Sequence, residues 1–293
     1  MNATHQPGNE QAALWNGPGG RAWVEAQETL DHILQPFEDL LVAAVGARAR
    51  QRVLDVGCGT GSTTLAVARL LGEKGRGIGV DISEPMIAAA RARAERERSP
   101  AEFILADAQA YAFEPASVDL VVSRFGVMFF EDPVRAFANL RRAAKAGAEL
   151  WFVAWRSAAE NPFMTTAERA AAPLLPNLPP RQPDAPGQFA FADRRRVASI
   201  LEESGWTEID IRPVDVPCTM PEKALLGHLS RLGPVGMALQ QADDRTRAQV
   251  LDTVRAAFDE YVHGAEVRFT AASWVVSARA PVAAAAAKEV ARG

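Results

Sequence analysis

Residues 53–61 read VLDVGCGTG. The apolar run Val53–Val56 contains one carboxylate, Asp55, and then meets glycines at 57, 59 and 61. A short β-branched run reads as a strand, and glycines directly after it read as a tight turn that lets backbone approach a ligand. Residues 62–71, STTLAVARLL, have helical spacing, and Gly72 is a natural stop. The stretch therefore predicts strand, turn and helix. What remains to be read is the ligand.

The dinucleotide fingerprint requires glycine or alanine at its sixth position, and here that position is Ser62. Asp55 stands two residues before the first glycine, where its charge would repel a pyrophosphate and attract an amine. A second strand, GIGVD (77–81), ends in Asp81, placed to accept hydrogen bonds from two ribose hydroxyls. A third, EFILAD (102–107), ends at Asp107 and Ala108, where a carboxylate can meet an adenine amino group. An ammonium, a ribose and an adenine without phosphate describe S-adenosylmethionine.

Further along, Ser83 caps a helix that carries Pro85 in its first turn and runs to about Arg98. VDLVVSRF (118–125) is a fourth strand. Asp132 caps a helix with Pro133 at its first position, and Gly147 is expected to end it. AELWFVAW (148–155) is a fifth strand, TEIDIRPVDV (207–216) a sixth and VRFTAASWVVSARA (267–280) a seventh. Between strands five and six, Asp193 caps a helix that Gly205 stops. Alternating strands and helices predict a doubly wound parallel α/β sheet with right-handed crossovers.

The expected organisation follows. Residues 1–49 form a helical cap, with Gly17, Pro18, Gly19 and Gly20 interrupting it. The core runs over 50–155 and resumes over 193–217. Residues 156–192 form a proline-rich lid, expected as a long irregular loop. Residues 218–265 form a second lid with two helical patterns, roughly 221–232 and 243–262. Residues 266–280 hold the last core strand and 281–293 a tail.

VLDVGCGTG, GVD and LADA at these spacings resemble the class I S-adenosylmethionine-dependent methyltransferases. SRFGVMFFEDP (123–133) and LWNGPGGRAW (14–23) look like a bacterial small-molecule branch related to the ubiquinone and menaquinone C-methyltransferases. The resemblance implies a Rossmann-like seven-stranded sheet with an antiparallel last strand. It implies contacts from Asp55, Gly57 and Gly59 to the methionine end and from Asp81 to the ribose, with Trp15 also binding the cofactor. Ile82 and Met86 would flank the adenine, and Asp107 and Ala108 would touch its edge. Ser123, Arg124 and Phe125 would sit beside the reactive methyl.

Ligands of open parallel sheets bind outside the carboxyl ends of the strands, where both insertions and the cap converge. Trp23, Phe125, Phe129, Trp155 and Phe189 are the candidate acceptor contacts, and they imply a small molecule with an apolar or aromatic body. Methyl transfer needs alignment more than a base. The sequence offers His228 as the one candidate base; His5 falls in the terminus, and His32 and His263 on helical patterns. Arg124 is expected to pair with a nearby acid or with an acceptor carboxylate. Cys58 reads as a small residue in the turn. No metal-ligand spacing occurs.

Forty-eight per cent apolar and 23% charged residues are globular values, and a net charge of −4 argues against nucleic acid or anionic membrane as partners. RARAERER (91–98) reads as a solvated helix face. The polar start, the lack of a membrane-length apolar run and only two cysteines make the cytoplasm the simplest home. Two rival readings remain: a regulatory protein that binds the cofactor without turnover, and a nucleotide-dependent oxidoreductase, which Asp55 and Ser62 oppose.

Overall fold

The computed structural model describes residues 9–46, 52–178, 180–182 and 185–282. His5 and the tail beyond 282 lie outside the described residues. The helices before the sheet are α1 (Asn9–Asn16), α2 (Pro18–Glu25) and α3 (Gln27–Gly46). The alternating part follows with β1 (Arg52–Val56), α4 (Ser62–Leu71), β2 (Arg76–Asp81), α5 (Glu84–Glu97), β3 (Glu102–Leu105), β4 (Val118–Arg124), α6 (Pro133–Ala143) and β5 (Ala144–Trp155). Then come α7 (Pro162–Ala171), α8 (Arg194–Glu203), β6 (Thr207–Pro221), α9 (Leu225–Arg231), α10 (Gly233–Leu239), α11 (Asp244–Ala257), the two-residue β7 (Val262–His263) and β8 (Glu266–Arg279).

The sheet runs in the order β3-β2-β1-β4-β5-β8-β6, with β7 paired to β8 alone. Pairs among the first five strands are parallel, whereas β8 is antiparallel to both β5 and β6. This is the Rossmann-like seven-strand arrangement with a reversed last strand. The order reverses between β1 and β4, so the carboxyl ends of β1, β2 and β4 open a crevice at the switch point.

Both faces of the sheet are covered, and β4 shows how. Leu120 and Val122 point to one side, with Val45, Val53 and Val67. Val121 points to the other, with Leu54, Val56 and Phe137. All three β4 residues have no exposed surface, as the two-residue period of a strand requires.

Several local expectations change. Gly19 and Gly20 lie inside α2 rather than interrupting it, because Pro18 suits the helix's first turn. Gly20 is there for close packing: a Cβ on it would fall 1.9 Å from the Trp15 carbonyl oxygen and 2.7 Å from Ser83 Oγ. Helix α6 stops at Ala143, before Gly147, because the chain already pairs with Val118 at Ala144. Gly147 instead lies in the register shift of β5, with φ +75°.

The proline-rich segment opens with α7, whose Pro162 takes the first turn, since the proline cluster begins only at Pro173. Asn161 anchors that helix to the sheet by exchanging two 2.9 Å hydrogen bonds with the backbone of Ala272. Strand β6 runs on to Pro221 along β8, four residues into the expected second lid. That lid holds three helices rather than two, because the stretch between the two expected patterns forms α10, which starts at Gly233 (φ +71°) with Pro234 in its first turn.

Candidate active site

The turn after β1 is built on backbone contacts. Gly57 and Cys58 N–H both donate to the Val80 carbonyl, at 2.9 and 3.1 Å. Gly57 has φ +67°, and a Cβ on it would lie 2.6 Å from the Cα of Gly126. The Asp81 carboxylate seats the turn from β2. Its Oδ2 accepts from Gly59 N–H at 2.8 Å and its Oδ1 from Ser83 N–H at 2.9 Å. Each oxygen keeps a further lone pair for a ligand. Burial pushes the Asp81 carboxyl above its ordinary value, with those backbone donors opposing the shift.

Asp55 is sealed beneath the turn. Its Oδ2 accepts from Thr64 Oγ1 at 2.6 Å, while Oδ1 is buried without a partner. Burial pushes its carboxyl up to about 6, against the pull of Thr64 and Arg124. An unpartnered buried carboxylate oxygen costs free energy until a donor meets it. It lies beside a cavity of about 30 Å³, which Asp31, Thr60, Thr63 and Arg124 also line.

A second cavity, of about 110 Å³, gathers Gly57, Gly59, Asp81, Ile82, Met86, Asp107, Ala108, Arg124 and Trp15. These are the sequence-expected donor-site residues apart from Asp55, at the smaller cavity, and Ser123. Ser123 is fully buried and not among the lining residues. Its Oγ donates to Val56 O at 2.7 Å and accepts from Gly126 N–H at 3.2 Å, clamping the ends of β1 and β4 together. Asp107 Oδ1 accepts from Gln109 N–H at 2.9 Å. An orphaned carboxylate oxygen, a twice-seated Asp81 and a turn with glycine at 57, 59 and 61 fit the ammonium and ribose of S-adenosylmethionine.

Arg124 takes the structural pairing, reaching Glu38 at 3.6 Å and Asp31 at 3.9 Å. Arg93 joins Asp31 at 3.0 Å and donates to the Thr60 carbonyl at 3.0 Å, while Ser62 Oγ donates to Glu38. A network from α3 and α5 thus braces the glycine turn. Sequence reasoning missed Asp31, Glu38 and Arg93, because polar residues on helices carry no mark of which face becomes buried.

A larger chamber, about 470 Å³, lies next to these cavities. Trp23, Phe125, Phe129 and Trp155 line it, as expected, and so do Met128, Phe163 and Phe258. Phe189 does not; it packs beneath the Arg181 guanidinium at 4.7 Å, while its neighbours Gly187 and Gln188 face the chamber. Gln11, Trp15, Trp23, Phe125 and Phe129 line both this chamber and the 110 Å³ cavity. Phe125 stacks on Trp155 at 3.8 Å and 5°. Its φ of +61° is strained for a residue with a side chain.

His228, from α9, also faces the chamber. Its Nδ1 is buried without a partner, and burial pulls the imidazole down to about 4, so it is neutral at ordinary pH. The N-terminal helices close the other side and are tied to the β2–α5 turn. Asn16 Nδ2 donates to Ile82 O at 3.0 Å, Glu84 N–H donates to Asn16 Oδ1 at 2.8 Å, and Ser83 Oγ donates to Trp15 O at 2.6 Å. Among the described residues, no helix is long and apolar enough to cross a membrane.

Comparison with known proteins agrees with this geometry. A methyltransferase domain family matches residues 53–147, from β1 to the start of β5. The chain is 29% identical over 182 residues to a demethylmenaquinone methyltransferase of Renibacterium salmoninarum, covering 59% of this chain and 73% of that protein. It is 35% identical over 103 residues to aklanonic acid methyltransferase DauC of Streptomyces sp. strain C5, covering 35% of this chain but only 47% of that one. In fold it is similar to YcgJ of Bacillus subtilis, with a TM-score of 0.56 at 17% identity over 84% of this chain and 99% of that one. Sheet order, the seated Asp81, the orphaned Asp55 and the matched domain agree, and residues 53–147 form a methyltransferase domain of the S-adenosylmethionine-dependent kind.

Proposed function

We propose that this protein transfers a methyl group from S-adenosylmethionine to an oxygen, nitrogen or carbon of a small, partly apolar or aromatic metabolite. One observation carries it. A cavity that carries the Asp81 and Asp107 carboxylates, fitted to the donor, and a larger aromatic-walled chamber share a wall at Gln11, Trp15, Trp23, Phe125 and Phe129. The two relatives named for demethylmenaquinone and aklanonic acid support a small organic acceptor.

The bound donor would supply a methyl on a sulfonium, with a neutral thioether as leaving group. The chain's residues would do the positioning. Asp55 and the glycine turn would take the ammonium end, Asp81 the ribose, and Ile82, Met86, Asp107 and Ala108 the adenine. Trp15 and Arg124 would close the donor site, while Trp23, Phe125, Phe129 and Trp155 would orient the acceptor and exclude water. Both cysteines are free and buried, which supports a reducing compartment such as the cytoplasm.

Isothermal calorimetry with S-adenosylmethionine, and release of S-adenosylhomocysteine over a panel of aromatic metabolites, test the proposal. Binding that Asp81→Ala abolishes, with turnover on at least one panel member, is the expected result. Absence of binding, or binding that Asp81→Ala leaves unchanged, would overturn it.

A further inference from the structure

We infer that the acceptor is an uncharged aromatic molecule and that His228 holds a hydroxyl on its ring. The inference rests on the methyl-transfer proposal for the role of the chamber, but its own ground is the chamber's chemistry.

At about 470 Å³ the chamber lies within the range that encloses a small organic ligand. Its walls are ring edges and faces. Phe125 stacks on Trp155, and Phe163 stacks on Phe269 at 3.8 Å and 4°. Aromatic walls bind a flat ring through offset and edge-to-face contact. Met128 and Met164 add thioethers that adapt to its outline.

The charged groups at the chamber are already matched. Arg181 grips Glu168 as a fork, at 2.9 and 2.5 Å. Arg231 reaches Glu25 at 3.5 Å. A carboxylate or phosphate on the ligand would find Arg181 engaged and Arg231 paired with Glu25 at the exposed rim, and an amine would find Glu168, the carboxylate that lines the chamber, engaged. Desolvating such a charge without a partner is costly. The chamber therefore selects a neutral molecule.

His228 stands apart among the chamber's polar side chains, Gln11 and Gln188 included, in holding a buried atom without a partner. Among the described residues neither ring nitrogen has a hydrogen-bond partner, and Nδ1 is sealed, which leaves the Nε2 edge to a ligand. A neutral imidazole carries one donor and one acceptor, and its tautomer follows whichever partner arrives. A hydroxyl can donate or accept, so it satisfies either tautomer, whereas a carbonyl or an ether can only accept. Burial keeps the imidazole neutral, so it offers no charge to an anion.

Equilibrium dialysis of the full-length protein, without cofactor, against 2-naphthol, naphthalene and 2-naphthoate tests this at pH 7.5. 2-Naphthol should bind most tightly and 2-naphthoate most weakly. His228→Phe should weaken 2-naphthol roughly tenfold or more while leaving naphthalene within about twofold. His228→Gln, which restores a donor and an acceptor, should recover most of the 2-naphthol affinity. Tighter binding of 2-naphthoate than of 2-naphthol would overturn the inference. So would 2-naphthol affinity unchanged in His228→Phe. Should either occur while the protein still binds S-adenosylmethionine by calorimetry, the methyl-transfer proposal survives; loss of cofactor binding with naphthol recognition intact would be the reverse case.

Discussion

Gly57 and Gly126 touch backbone to backbone at the ends of β1 and β4. A Cβ on Gly126 would lie 2.7 Å from Gly57 Cα and 2.6 Å from Val56 O. The contact sets how far the donor turn stands from Phe125, whose ring lines both cavities. Gly126→Ala should force the two strand ends apart. We expect a stability loss of about 1–3 kcal/mol and a weakening of S-adenosylmethionine binding of roughly tenfold. Thermal unfolding and calorimetry on the same sample check both.

Asp55 makes the donor site sensitive to pH. Burial raises its carboxyl from the ordinary 3.8 to about 6. The folded state then holds a proton that the unfolded chain has lost, so stability falls as pH rises between those values, by about 3 kcal/mol in all. Asp55→Asn should remove that cost. The stability difference between variant and wild type should be small near pH 4 and grow in the variant's favour up to pH 7. A cationic ligand prefers the ionised form, so cofactor affinity should fall as pH drops below about 6, and this dependence should vanish in Asp55→Asn. Urea titrations and calorimetry across pH 4–8 measure both effects.

Phe125 stores backbone strain at φ +61° while its ring packs on Trp155 and on Phe37, 4.9 Å away. Phe125→Gly relieves the strain, worth about 1 kcal/mol, and removes a buried aromatic, worth about 3–5 kcal/mol. Packing wins, and a net loss of about 2–4 kcal/mol is expected from urea unfolding. A stabilised variant would mean that the ring contributes little to the core.

Asn16 couples the N-terminal helices to the turn that carries Asp81. Its side chain holds Ile82 O and Glu84 N–H together. Asn16→Ala should cost about 1 kcal/mol and speed amide exchange over residues 9–25. Cofactor affinity should drop several-fold, because the same turn would lose its outer support. Hydrogen-exchange mass spectrometry with and without S-adenosylmethionine reads the effect directly.

The donor half of this protein was legible because its signals are local. VLDVGCGTG, Asp81 and Asp107 are each placed by a strand end and the turn directly after it, and strand period and turn chemistry act over a few residues. The helix caps at Ser83, Asp132 and Asp193 were equally local, and each side chain accepts from a first-turn amide. Helix boundaries near glycine were harder. Gly20 and Gly147 are explained by contacts with Trp15 and by the register of β5, neither of which is written next to them in the chain.

The acceptor half required the fold. Phe125 and Phe189 are both aromatic residues on segments near the site, yet one faces the chamber and the other lies under Arg181. Asp31, Glu38 and Arg93 meet Arg124 and the turn only because α3 and α5 pack beside it. The sequence by itself determined the sheet, the glycine turn and the donor, since hydrogen-bond geometry and side-chain period fix these within short windows. Tertiary structure alone decided which aromatic rings bound the chamber, which charges cancel at it, and that His228 reaches it with an unpartnered nitrogen. Those outcomes depend on contacts between distant segments, and burial, which no short window contains, sets their energies.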